Sequence, residues 1–271
     1  MAKVRALGSV PKILGLVVIA VAVAASFVFF TGQGEASHGS ACNDLPTHER
    51  LGAALTAARG ESNGGLNLDM WATVVNRDGV VCGVAFTGED RGDQWPGSRV
   101  ISAQKANTAN SFSLPGLALS TANLFSPVQP GGFLFGLQES NPVNIIVAYG
   151  GDSDLIGTHD DPMVGKKIGG VNVFGGGLAL YTSDGALVGA IGVSGDTSCA
   201  DHNIAWRTRD SLGLDNVPAG VGTPGDNIIY DTTVDAATGH TASSGGFGHP
   251  ACSAASTSVA EGFATTHPLG P

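Results

Sequence analysis

The sequence predicts an α+β domain in which an antiparallel sheet is covered by helices. Two observations carry this. Segments 69–87 and 176–195 are each a β-branched or apolar run folded about an Asp-Gly pair, Asp78-Gly79 and Asp184-Gly185, the strongest short-range hairpin signal. Apolar residues at helical spacing stand before, between and after these ribbons, and the stretch joining them is too long for a simple meander. Glycine, at 41 of 271 residues, is roughly twice as frequent as usual, while apolar residues reach 42 %. Together these point to tight turns and close backbone packing around a real core, not to general disorder.

Taken in order, the chain opens with Lys3, Arg5 and Lys12 ahead of an uncharged run from Ile13 to Phe30. The run is long for a signal-peptide core and just long enough to span a bilayer. Its basic flank should stay cytoplasmic, which sends the rest of the chain outside. Residues 1–37 are therefore a signal peptide or a membrane anchor. Gly34-Glu35-Ala36-Ser37 is small enough for cleavage but lacks an A-x-A pattern, so both readings stay open. The protein is expected to be exported, periplasmic or extracellular, with residues 13–30 as its membrane attachment if they are kept. A linker follows at 38–46.

The main domain is expected over 47–212. A first helix runs from about Thr47 to Arg59, with Leu51, Ala54, Leu55 and Ala58 on one face, and ends in Glu61-Ser-Asn-Gly-Gly65. After the first hairpin, Ser98 is read as the N-cap of a helix over 99–113. Val100, Ala103, Ala106, Ala109 and Phe112 give that helix a small-residue face suited to close contact with a sheet. A shorter helix is expected from Gly116 to Phe125. Residues 126–170 read as a long loop carrying an insertion at about 139–168, with Asn144 to Tyr149 as an extra strand. In the second hairpin, Gly176, Gly177, Gly189 and Gly192 mark a bulge or a close approach of another backbone. A last helix spans about Ser198 to Leu212. Residues 213–271, rich in Gly, Pro, Ser, Thr and Ala, form an extension with little core of its own. This order suits a profilin-like or PAS-like layer.

Composition and motifs narrow the chemistry. The formal charge is −10, and three of the thirteen basic residues precede the apolar run, so the exported part is more acidic still. Such a surface repels phosphate backbones, which argues against nucleic acid as a partner. Cys42, Cys82, Cys199 and Cys252 make an even set, which outside the membrane favours disulfides. Three pairings are open, and Cys199–Cys252 is preferred because it would fasten the extension to the domain. No CxxC or CxxCH occurs, which argues against structural zinc and covalently attached heme. Gly175-Gly176-Gly177 has no following Gly-Lys-Ser/Thr, and Gly192-Val193-Ser194-Gly195-Asp196 lacks the final glycine of a nucleophile elbow.

Several pieces resemble a known family in their order and spacing. They are the alanine-rich first helix, the ribbon VVNRDGVVCGVAFTGED, Gly97-Ser98, and then Lys105-Ala106-Asn107-Thr108-Ala109 with Phe112 behind it. The last is a hairpin closing on Gly189-Ala-Ile-Gly-Val-Ser-Gly195, followed by an acidic residue and a helix with Ile204-Ala205. The chain thus resembles the GlcG/HbpS-like heme-binding family, also called the heme-degrading domain family and found at the C-terminus of PduO-type proteins. The resemblance covers about 45–212 without the insertion. It implies a profilin-like domain, homo-oligomeric assembly, and non-covalent binding of heme or a related tetrapyrrole. The family's arginine-containing stretch is altered here to Glu89-Asp90-Arg91-Gly92-Asp93-Gln94-Trp95.

Heme iron in such a site wants an axial donor. His48, beside Glu49 and Arg50 at the start of the first helix, and His202, after Asp201 in the last helix, are the candidates. Arg99 and Lys105 are candidate partners for propionates, and Thr108 for a hydrogen bond near the ligand. His159, in a loop with Asp154, Asp160 and Asp161, reads instead as a candidate for a divalent cation. His240, His249 and His267 are treated as incidental. An exported heme-binding module for sensing, storage or hand-over is the leading reading. A heme-degrading or peroxide-linked enzyme would need a distal acid–base residue, for which no convincing pair is found. A ligand-free assembly domain is the remaining alternative.

Overall fold

The ladder at the centre of the molecule joins both Asp-Gly ribbons into one sheet. In the computed structural model, which describes residues 42–270, strands β1 (Trp71–Asn76), β2 (Val81–Phe86), β3 (Gly177–Tyr181) and β4 (Leu187–Ser194) pair antiparallel in the order β2-β1-β4-β3. The seam between ribbons runs from Trp71 opposite Ser194 to Asn76 opposite Gly189. Each ribbon turns through a glycine of positive φ, Gly79 at 74° and Gly185 at 81°, and each of these amides closes the turn on a carbonyl three residues back. The expectations that fall on residues 1–41, including the apolar run 13–30, lie outside the described residues. Among the described residues no helix is long and apolar enough to cross a membrane.

Helices cover both faces. Helix α1 (His48–Arg59) starts at Thr47, whose hydroxyl accepts from the Arg50 amide, and buries Leu51, Ala54, Leu55 and Ala58 as its periodicity predicts. It shares one face of the sheet, with Val74, Leu178, Leu180, Ile191 and Val193, with the later helix of residues 198–211. Helix α2 (Ser98–Ser111) lies on the other face over Trp71, Val75 and Ala190. Its approach is close because of the glycines opposite it. A Cβ on Gly192 would stand 1.9 Å from the Ser102 carbonyl oxygen, and one on Gly177 2.6 Å from that of Lys105. Gly97, not Ser98, occupies the N-cap position of α2, and no side chain caps it.

Two elements differ from expectation. Residues 116–125 do not form a helix. Ser120 and Asn123 bond each other and Thr121 bonds the Phe174 carbonyl, leaving two short 3₁₀ turns at Ala122–Leu124 and Ser126–Val128. Asn144 to Tyr149 is not a strand. After the turn α3 (Leu137–Ser140) the segment forms the short helix α4 (Ile145–Tyr149), because the Asn144 side chain accepts from the Ile146 and Val147 amides and starts a helical turn.

Helix α5 (Ser198–Ser211) is followed by an extension that packs on the main core. A small ribbon of β5 (Thr232–Val234) and β6 (Thr241–Ser243) precedes helices α6 (Ala254–Glu261) and α7 (Phe263–Thr266). Phe263 stacks on Trp206 of α5 with ring centres 5.3 Å apart, and Arg209 of α5 pairs with Asp226 where both side chains are fully buried. The disulfides are Cys42–Cys82 and Cys199–Cys252, the second fastening the extension as expected. Cys82 is the extra residue of a bulge, since Val74 faces Gly83 and Val75 faces Val81.

Candidate functional site

The start of α1 lies across β2, and this crossing builds the pocket. His48 is the first helical residue, and its Nδ1 meets the Val84 carbonyl oxygen of β2 at 2.9 Å. The Cys42–Cys82 bond holds the preceding residues against the same strand. On the outer edge of β2 the end of the insertion adds a short rung. The Gly165 amide donates to the Val81 carbonyl and the Val81 amide to the Lys166 carbonyl, both at 2.9 Å. Between these pieces is a cavity of about 450 Å³ lined by Leu45, Pro46, His48, Val81, Val164, His159 and both cysteines of the bridge.

His159 comes from the insertion. Its ring centre is 6.5 Å from that of His48, with the planes at 80°. Its Nδ1 lies 3.1 Å from Asp160 Oδ1. The loop beneath it is pinned by the buried carboxylate of Asp161. That group accepts from Arg99 through Nε at 2.8 Å and through Nη2, from the Gly157 amide at 2.8 Å and from the Met163 amide at 2.9 Å. Arg99 Nη1 donates to the Ala148 carbonyl at 3.0 Å. Asp161 is thus turned inward to Arg99. Among the described residues no three His, Cys, Asp or Glu side chains converge on a metal position, which removes the divalent-cation reading of the loop. Lys166 and Lys167 follow the pocket-lining Gly165 and are exposed.

The five sequence candidates are not brought together. His48 is in the pocket just described. Arg99 is spent on Asp161 and Ala148. Lys105 Nζ donates to Asp201 Oδ2 at 2.7 Å and to the Val193 carbonyl at 3.1 Å, with both charged side chains at most 4 % exposed. Burial pushes the Asp201 carboxyl up to about 6, against the pull of Lys105. The Thr108 hydroxyl donates to the Gln104 carbonyl one turn back and accepts from the Asn172 amide. His202 is fully buried on α5. The Ile228 amide donates to its Nε2 at 3.2 Å, and burial pushes its pKa down to about 3. Residues of the extension cover that ring, so as an iron ligand His202 meets a sealed environment, and Lys105 and Arg99 meet internal carboxylates in place of propionates.

Two features of the pocket were not among the heme-binding residues inferred from sequence. His159 carries no local signal of its partnership with His48, because the two are joined only through the tertiary fold. The lysines do carry one. In an acidic chain, Lys166-Lys167 is the single Lys-Lys pair, and the described residues hold just one other lysine, the buried Lys105.

Comparison with known proteins bears on the same region. A family model described as "Haem degrading protein HbpS-like" matches residues 47–209. Among solved structures, a PduOC:heme complex is 24 % identical over 64 % of this chain and 94 % of its own, with a TM-score of 0.43. The Klebsiella pneumoniae protein ORFY is 26 % identical over 60 % of this chain and 86 % of its own, with a TM-score of 0.40. A crystal structure of HbpS is 20 % identical over 62 % of this chain and 93 % of its own, at 0.37. No curated protein matches the sequence. From the cap of α1 almost to the end of α5, well over half its length, the chain belongs to the HbpS-like family of haem-degrading proteins.

Proposed function

We propose that the protein is an exported heme-binding module for sensing, storage or hand-over of heme, with its site in the pocket between the start of α1, β2 and residues 157–167. His48 would hold the heme iron. The observation that carries this is the state of its ring. Nδ1 is engaged by the Val84 carbonyl, so the proton sits there and Nε2 keeps its lone pair, beside a cavity with apolar walls from Leu45, Pro46, Val81 and Val164. That donor and those walls fit a macrocycle with an apolar face and an iron at its centre. Lys166 and Lys167 supply positive charge beside the cavity, where propionates need it.

Membership in a haem-degrading family supports heme as the ligand class. The basic residues ahead of Ile13–Phe30 support export, and two disulfides suit an oxidising compartment. Self-association is part of the reading, supported by exposed apolar side chains such as Ile146 and Phe135, at 80 % and 67 % exposure. Ferric hemin titrated into the protein should give a Soret band that saturates at one heme per chain. His48→Ala should weaken binding at least about tenfold, the loss of roughly 1.4 kcal/mol. A wild-type protein that shows no saturable band, or a His48→Ala variant that binds as wild type, contradicts the assignment.

A further inference from the structure

We propose that a second cavity, on the α2 side of the sheet, binds a small aromatic monocarboxylate, an acid of one or two rings. The inference does not rest on the heme reading, and the cavity shares no lining residue with the pocket of His48.

The cavity lies where β1 begins, beside the first turn of α2 and the end of α4. Its volume is about 340 Å³, and its apolar walls come from Trp71, Pro96, Val100, Ala148, Tyr149 and Ile156. An apolar cavity of roughly 150 Å³ takes one benzene ring, so this one has room for two fused rings or for a ring with a short chain. Existing bonds hold the space open. Arg99 of α2 donates through Nη1 to the Ala148 carbonyl of α4 at 3.0 Å. Its buried partner Asp161 fixes Gly157, next to Ile156, by accepting from the Gly157 amide at 2.8 Å. A ligand therefore meets walls set before it arrives, which lowers the cost of binding.

The polar groups on the wall decide the chemistry of the ligand. Arg99 has its charge matched by Asp161. Arg91 does not. It donates to the Ser153 carbonyl on the other side of the cavity and, among the described residues, pairs with no carboxylate. Its neighbour Asp90 turns Oδ1 to the Gly92 amide at 2.7 Å. Arg91 thus brings a cation with most of its five N–H donors unused to the edge of an apolar space. The indole N–H of Trp71 is buried and has no acceptor among the described residues. Buried donors left without a partner are rare and costly. Both groups lack an acceptor, and a flat apolar acid brings two: a carboxylate for Arg91 and an aromatic face for the indole N–H.

The test is titration of 2-naphthoate into the full-length protein, with its neutral amide, 2-naphthamide, as the comparison. Calorimetry reads affinity, and proton–nitrogen-15 spectra read the indole signals of the three tryptophans. Wild type should bind one naphthoate per chain, at least about tenfold more tightly than the amide. The Trp71 indole signal should move, while that of Trp206, whose N–H is already given to the His267 carbonyl at 3.0 Å, should stay. Arg91→Gln, a change at a half-buried loop position, should remove the preference for the acid and leave amide binding as it was. Saturating hemin should leave naphthoate binding unchanged. The proposal is overturned by any of four results: no saturable naphthoate binding, equal affinity of wild type for acid and amide, an Arg91→Gln variant that keeps the preference, or one-for-one displacement of naphthoate by hemin.

Discussion

His202 and His249 enter the folded state uncharged, and this makes stability depend on pH. Burial pushes them down to about 3 and about 4. Around His202, Asp226 favours the charged form while Arg209 and His249 oppose it, and for His249 the Pro250 carbonyl favours it while Lys105 opposes it. Both folded values lie below the unfolded value of about 6.5, so their contribution is complete above that pH and is lost as pH falls towards 4 and then 3. Between pH 7 and pH 5 the two together cost about 3–4 kcal/mol. Asp201 works the other way. Its value of about 6 lies above the unfolded carboxylate value, so its protonation returns roughly 1 kcal/mol over the same range. The urea midpoint should therefore be lower at pH 5 than at pH 7, with net proton uptake on unfolding at pH 5. An equal or higher midpoint at pH 5 would show that these imidazoles are not buried. The same residues show why site reading from sequence falls short. Nothing local to Lys105, Arg99 or His202 announces Asp201, Asp161 or Ile228, the partners that claim them from 96, 62 and 26 residues away. The place of His48 at a helix start was legible because it follows from the cap and the helical period.

At the scale of elements, the contact of α2 with β4 depends on a missing side chain. Gly192→Ala would drive a Cβ to 1.9 Å from the Ser102 carbonyl oxygen and 2.4 Å from the Ala106 amide nitrogen, both backbone atoms of a packed helix. The expected cost is about 3 kcal/mol or more in denaturant unfolding. Gly83→Ala, whose Cβ would find only Leu51 Cδ2 at 3.7 Å, is the control and should cost well under half as much. Equal effects at the two positions would mean that α2 does not sit this close. Where structure is local, the sequence was readable. Asp-Gly turns and the 3.6-residue period located both ribbons and the three long helices. It misled where a polar side chain overrides composition. Asn144-Ile-Ile-Val-Ala-Tyr149 has the β-branched residues of a strand, yet Asn144 caps it into a helical turn in which Ala148 alone is buried. Gly116 to Phe125 has helical spacing, yet the Ser120–Asn123 and Thr121 bonds hold the chain open.

At the scale of the whole molecule, two disulfides close chain separations of 40 and 53 residues, one tying the residues ahead of α1 to β2 and one tying the extension to α5. Loop-closure entropy assigns about 4 kcal/mol to the first. Cys42→Ser with Cys82→Ser should lower the melting temperature by several degrees and, because both residues line the His48 pocket, also weaken hemin binding. A lower melting temperature with unchanged hemin affinity would separate that bond from the site. The central claim is the position of the iron, and one measurement reads it directly. The chain has seven histidines. In nitrogen-15 spectra of histidine-labelled protein loaded with ferric hemin, the imidazole signals of His48 should be shifted and broadened by the paramagnetic iron, while those of buried His202 and His249 stay at their apo positions. Strong paramagnetic shifts on His202 with none on His48 would contradict the account.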